Sequence, residues 1–327
     1  MERGTNRQLI MRGVILDAKT LGSDIDLQPI TKLPGSWTVY EKTETKKVAE
    51  RISNAEIILT NKVVLNASDI RLAKKLKFIS VLATGTDHIE LKEASRKNII
   101  VSNVRGWCTS SVTQHTLALL LSLTNKVGQY SVDISEGAWQ KSDTFAYLKH
   151  PIEEISGKKF GVIGYGELGK SVSRIIEVLG AEILISERKN KPARPGRTSF
   201  EETLASSDFL SLHCPLTKEN FHMIDKNVLT KMQNHALLIN TARGGLINSA
   251  DLVEALSTGQ IGGAGLDVLE TEPPGNSEPL LTKDIPNLII SPHIAWSALE
   301  SRQRLIQQTR ENIQNFINGT PVRLVEG

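Results

Sequence analysis

With 327 residues, 39% of them apolar and 23% charged, the chain has the make-up of an ordinary globular protein and room for two domains, each with its own core. A formal net charge of +3 without any basic block offers nothing for nucleic acid or an anionic membrane to grip. Cys108 and Cys214 fit no disulfide or metal framework and point to a reducing cytoplasm, and neither a membrane-spanning apolar run nor a signal-peptide core is expected.

Residues 1–10 are polar and patternless and read as a loose extension. Val14-Ile-Leu16 then begins an alternation of strands and helices. Helix is expected over 46–52, 67–72 and 91–95, and strand over 56–60, 78–82 and 99–101. Such alternation means a parallel sheet with helices on both faces, an α/β domain in its own right. In Ala83-Thr84-Gly85 a glycine follows the carboxyl end of a strand. Its free N–H groups suit a substrate carboxylate, and a plain strand-ending turn reads equally well.

Ser110 or Ser111 can cap an apolar helix over 112–127, expected to be buried with His115 as a satisfied core histidine. From Gly137 to Pro151 the pattern fails. Trp139, Phe145 and Tyr147 in that stretch either line a substrate mouth or pack the interdomain seam, and packing is favoured.

Phe160-Gly-Val-Ile163 is a β-branched and aromatic strand, followed at once by Gly164-Tyr-Gly166-Glu167-Leu168-Gly169. Val172, Ile175, Ile176 and Leu179 then recur at helical spacing up to Gly180, and residues 181–185 form a second strand. Glu187 stands at its end, 18 residues after Gly169. Strand, glycine turn, helix, strand and acid in that order make a dinucleotide site: Gly164 for the turn, Gly166 for backbone approach to the pyrophosphate, Gly169 for helix packing. The first helical turn, from Glu167 and Leu168, supplies free N–H groups for the phosphates. A carboxylate at 187 accepts ribose hydroxyls and repels a 2′-phosphate, which favours NAD. Arg188, Lys189, Arg194 and Arg197 are then a solvated face or, alternatively, a grip on that phosphate.

Four further strands end in polar loops on the crevice side of the sheet. They lead into Cys214-Pro215-Leu-Thr217, Thr241-Ala242-Arg243-Gly-Gly, Asp267 with Glu272-Pro-Pro behind it, and Pro292-His293. Arg243, flanked by small residues, suits a bidentate grip on a carboxylate and a pull on a carbonyl oxygen. His293 can give or take a proton near neutral pH, and Glu272 can orient the imidazole and stabilise its cation. Asp267 suits the nicotinamide carboxamide, and Cys214 is a small residue beside the cofactor rather than a nucleophile. Ser297-Ala-Leu-Glu300 reads as a capping box opening a last helix that stops at Gly319.

The stretches 161–169, 212–217, 238–245, 265–273 and 291–294 together resemble the D-isomer-specific 2-hydroxyacid dehydrogenase family over nearly the whole chain. Residues 103–115 with Ala295-Trp296 are similar to its glycerate dehydrogenase (hydroxypyruvate reductase) group. The resemblance implies an α/β protein of two doubly wound domains. A flavodoxin-like substrate domain, residues 11–105 and 296–327, surrounds an inserted Rossmann NAD-binding domain, residues 106–295. It implies that Arg243 binds substrate, that Glu272 partners His293, and that the protein is a homodimer acting on a small 2-keto or 2-hydroxy acid. A non-enzymatic, NAD-sensing corepressor shares that fold and triad. A formate dehydrogenase has glutamine where Glu272 stands. Arg105, Glu187 and Trp296 depart from the usual proline, aspartate and smaller residue.

Overall fold

The computed structural model describes residues 11–282 and 284–326, so the extension expected at 1–10 lies outside the described residues. The chain divides into two compact units. One consists of the described residues up to Cys108 together with those from Ser297 onward, the other of Thr109–Trp296.

In the first unit, β1 (Arg12–Ile15), β2 (Ser36–Val39), β3 (Ile57–Thr60), β4 (Phe78–Val81) and β5 (Ile100–Ser102) form an all-parallel sheet in the order β2-β1-β3-β4-β5. That is the flavodoxin-like order. Every residue of β3 and β4 is buried, as strands covered on both faces require, and their sequences run apolar instead of alternating. The edge strand β2, Ser-Trp-Thr-Val, is largely exposed and carries no such run.

The helix Leu299–Ile317 returns the chain to this sheet, where Phe316 stacks on Phe78 with ring centroids 4.5 Å apart. Complete burial of the Phe78 ring contributes roughly 1.5–3 kcal/mol. The expected capping box does not form. The cap position is Ala298, without a side-chain bond, and the Ser297 carbonyl instead accepts from Arg302 Nε at 2.8 Å.

Burial pushes two imidazoles down from an ordinary value of 6.5 to about 4: His88, after β4, and His213, in the other unit. Neither His88 Nε2 nor His213 Nδ1 has a hydrogen-bond partner among the described residues. Between about pH 4 and 6.5 the unfolded chain therefore binds more protons than the folded one. Stability should be full above that window and fall as pH falls through it. Thermal midpoints at about pH 7 and pH 5 should differ in that direction, and less so in His88→Asn. Equal losses in the variant and the parent would remove His88 from the effect.

The second unit holds β6 (Lys159–Ile163), β7 (Glu182–Ile185), β8 (Phe209–Leu212), β9 (Leu237–Asn240), β10 (Gly263–Leu266) and β11 (Leu288–Ile290). All are parallel, in the order β7-β6-β8-β9-β10-β11. Thr198 adds a single parallel bridge to Ser186, just past the end of β7. The order reverses between β6 and β8, which places the ligand crevice of such a sheet beyond their carboxyl ends.

The helix expected over 112–127 is present, running from Thr109 to Asn125, and a second helix follows it directly. Thr109–Asn125 packs on β9, β10 and the fingerprint helix, Lys126 turns left-handed at φ +56°, and Val127–Ser135 follows. Ser111 does not cap; its hydroxyl donates to the Ala295 carbonyl at 2.6 Å. Within this unit Trp139 and Phe145 are exposed, Phe145 to 93%, whereas Tyr147 meets Tyr130 edge-on. Among the described residues no helix is long and apolar enough to cross a membrane.

Candidate active site

The fingerprint is built on close backbone approach. Gly164 turns at φ +97°, and a Cβ there would lie 2.6 Å from the Cys214 nitrogen. Only glycine lets the ends of β6 and β8 meet. A side chain at Gly169 would strike the Gly164 carbonyl, so the helix Glu167–Val178 is drawn tightly onto the turn. Its cap residue, Gly166, makes no side-chain cap, and the space where its Cβ would project is open. A helix start with uncapped N–H groups, a positive dipole end and clear space fits a pyrophosphate. The Glu167 side chain is held by the Thr109 hydroxyl, and Leu168 is half-buried.

Beside that turn lies a cavity of about 620 Å³ that reaches Glu187, Cys214, Pro215 and Thr217, a size that suits part of a dinucleotide. Glu187 is buried, and Arg194 holds its carboxylate well below the usual range, down to about 2, through bonds at 2.5 and 2.8 Å. The Arg188 N–H adds a third bond at 3.0 Å. Burial pushes the Cys214 thiol up, which keeps it neutral and un-nucleophilic. Asn220 stitches this loop, donating to the Pro215 carbonyl at 2.8 Å and accepting from the Thr217 N–H at 2.6 Å.

At the far strands the reactive groups come together. His293 Nδ1 lies 2.5 Å from Glu272 Oε2, and the other Glu272 oxygen accepts the Leu269 N–H at 3.0 Å. The imidazole is therefore anchored through Nδ1, which leaves Nε2 to exchange a proton. His293 itself is left-handed, φ +55°, and its N–H donates to the Asp267 carbonyl at 2.8 Å. The Asp267 carboxylate fixes the same loop by accepting the N–H groups of Ile294 (2.9 Å) and Ala295 (2.8 Å) and the Ser291 hydroxyl (2.6 Å). His115 joins this network through Ser291 at 2.7 Å and so is a satisfied histidine.

Arg243 follows Thr241 and Ala242 in a loop shaped by Asn240, whose side chain accepts the Ala242 N–H at 3.0 Å and donates to the Arg243 carbonyl at 2.9 Å. Thr241 bonds Thr116 hydroxyl to hydroxyl at 3.0 Å. A Cβ at Gly244 would run into the Leu269–Glu270 peptide, so glycine seats the Arg243 loop directly against the Glu272 loop. Asn240, Ser291 and Asn220 escape a reading of the sequence because each acts through backbone groups that only the folded loops bring within reach.

Ala83, Thr84 and Gly85 belong to the other unit, at the carboxyl end of β4. Thr84 is fixed there by Asn103, which donates to its carbonyl at 2.7 Å, and by the Trp107 indole N–H, which donates to its hydroxyl at 3.1 Å. Arg105, in place of the usual proline, uses a backbone donor that proline lacks, bonding Gln308 at 3.1 Å.

Residues 117–295 match the family D-isomer specific 2-hydroxyacid dehydrogenase, NAD binding domain. The chain is 40% identical to glycerate dehydrogenase of Methylorubrum extorquens, covering 90% of this chain and 93% of that one. It is 35% identical to hydroxypyruvate reductase of Blautia hydrogenotrophica, covering 96% and 99%. The fold superposes on the TT0316 protein of Thermus thermophilus with a TM-score of 0.84 at 29% identity, over 96% of this chain and 100% of that one. With its two parallel sheets and its dinucleotide fingerprint, the chain belongs to the D-isomer specific 2-hydroxyacid dehydrogenase family of oxidoreductases.

Proposed function

We propose that the protein is an NADH-dependent reductase of short 2-keto acids, turning hydroxypyruvate into D-glycerate and glyoxylate into glycolate. The observation that carries this is the His293–Glu272 pair at 2.5 Å, on a loop seated against that of Arg243. When bound, the dinucleotide supplies the hydride. Gly164, Gly166, Glu167, Leu168 and Gly169 would hold its pyrophosphate, Glu187 its ribose, and Asp267, one oxygen of which accepts the Ala295 N–H, its carboxamide. The loops at Cys214-Pro215, Thr217 and Thr241-Ala242 would line its path.

The guanidinium of Arg243 offers a planar fork to the substrate carboxylate and its carbonyl oxygen, drawing charge onto that oxygen. His293 delivers the proton from Nε2 while Glu272, on Nδ1, stabilises the imidazolium beforehand and keeps the ring oriented. In the oxidative direction the same neutral ring takes the hydroxyl proton. Residues 11–105 with 296–327 would form the substrate domain, with Ala83, Thr84 and Gly85 offering N–H groups to the carboxylate. Residues 106–295 would form the dinucleotide domain, in a cytoplasmic homodimer. Two relatives named as enzymes, each matched over nine tenths of its length, favour catalysis over a corepressor role.

Oxidation of NADH followed with a panel of 2-keto acids tests the reading. Hydroxypyruvate should be turned over with a kcat/KM at least about tenfold above pyruvate, as a pocket hydrogen-bonding its hydroxyl predicts, and glyoxylate, which lacks that hydroxymethyl group, should be turned over as the smallest acid of the panel. Preference for a branched or long keto acid would overturn the substrate assignment, and no turnover with any would overturn the enzyme.

A further inference from the structure

His222 and Glu270 form another histidine–glutamate pair in the same unit as His293 and Glu272. His222 Nε2 lies 2.7 Å from Glu270 Oε2. A carboxylate only accepts, so Nε2 carries the hydrogen of this bond. The backbone around His222 is held as well. Its N–H donates to the Gly245 carbonyl at 2.8 Å, and that of Ile224 to the Leu246 carbonyl at 2.9 Å. Phe221 stacks on the imidazole with ring centroids 3.9 Å apart. His222 is left-handed, φ +51°, a conformation that a residue other than glycine keeps where its surroundings fix it.

These bonds join three strand-end loops. His222 belongs to the loop after β8, Gly245 to the Arg243 loop after β9, and Glu270 to the Glu272 loop after β10. The last two press on each other at Gly244, where a Cβ would meet the Leu269–Glu270 peptide. One point of contact leaves two loops free to pivot, and the His222 bonds to both of them remove that freedom. From Glu270 the hold passes to Leu269, whose N–H donates to Glu272 at 3.0 Å, and so to the His293 imidazole. The His222 and Glu270 side chains are 28% and 40% exposed, so their pair adds little to stability. We propose that His222, acting through Glu270, is a positioning residue: it holds Arg243 and the Glu272 partner of His293 at the spacing that one keto acid must bridge. This rests on the keto-acid reductase reading of the site.

A double-mutant cycle in the whole protein tests it, read by steady-state kinetics, NADH quenching of tryptophan fluorescence and thermal midpoints. His222→Ala and Glu270→Ala should each lower kcat/KM for hydroxypyruvate by about tenfold, the scale of a modest misplacement of reacting groups. The double variant should lose no more than the worse single one, because both remove the same contact. Glu270→Gln keeps an acceptor for Nε2 and should stay within about threefold of wild type. NADH affinity should remain within about twofold throughout, since the lost interaction serves the reaction rather than cofactor binding. Glu270→Ala carries the test if His222→Ala, at its left-handed position, fails to fold. Wild-type kcat/KM in Glu270→Ala would overturn the proposal, as would losses that multiply in the double variant. Equal losses of NADH affinity, or a thermal midpoint that falls in step with activity, would overturn it too. If wild type reduces no 2-keto acid, the reductase reading falls and this inference with it.

Discussion

Arg243→Lys should cost on the order of a hundredfold or more in kcat/KM for keto-acid reduction, although it conserves the charge. Lysine carries a point charge on a flexible stem, whereas the guanidinium presents two parallel donors in a fixed plane. Only the second arrangement can hold a carboxylate and still aim a donor at the oxygen on which charge develops. Asn240 holds the Arg243 backbone from both sides, so the exchange should alter the side chain without moving the loop. Steady-state kinetics checks the loss, and quenching of tryptophan fluorescence by NADH checks that the cofactor still binds. Near-normal turnover in the lysine variant would mean that Arg243 does not hold the substrate.

His293→Asn should lower kcat/KM by about 10²–10⁴, the usual worth of a positioned general acid. Asparagine can keep a hydrogen bond to Glu272 but has no proton to give. The fall of the reductive rate with rising pH should vanish in this variant, whereas Glu272→Gln, which keeps an acceptor for Nδ1, should retain it at a reduced rate. Rate–pH profiles of the three proteins separate these outcomes. A His293→Asn enzyme that keeps the wild-type profile would mean another group carries the proton.

Much of this was legible before folding. Gly164 and Gly169 are informative because a backbone approach requires each, and the strand-end loops carry residue types that chemistry needs. What escaped reading was of two kinds. The edge strand Ser36–Val39 lies mostly in solvent, so no apolar alternation marks it. The helices Phe200–Ser206 and Ser249–Ser257 are short and are announced mainly by their caps, Ser199 and Asn248, which look like any loop polar residue. The Ser297 capping box erred the other way: its spacing is right, but the helix begins after Ala298. The pairing of Glu187 with Arg194 was hidden because a loop of unspecified path separates them.

The stacking of Phe316 on Phe78 has a bearing on how the polypeptide matures during synthesis. The unit around β6–β11 is contiguous, so its contacts close as soon as its own residues have emerged from the ribosome. The other unit must wait. Val325 bonds β5 at Val101, Asn312 bonds the Asn103 carbonyl, and Phe316 covers Phe78, all across more than two hundred intervening residues. Until that last helix arrives, the buried apolar face of β4 has no lid, and chaperones or the half-made sheet's own neighbours can reach it. Nascent chains released short of Phe316 should therefore present a finished dinucleotide fold tethered to an aggregation-prone N-terminal segment.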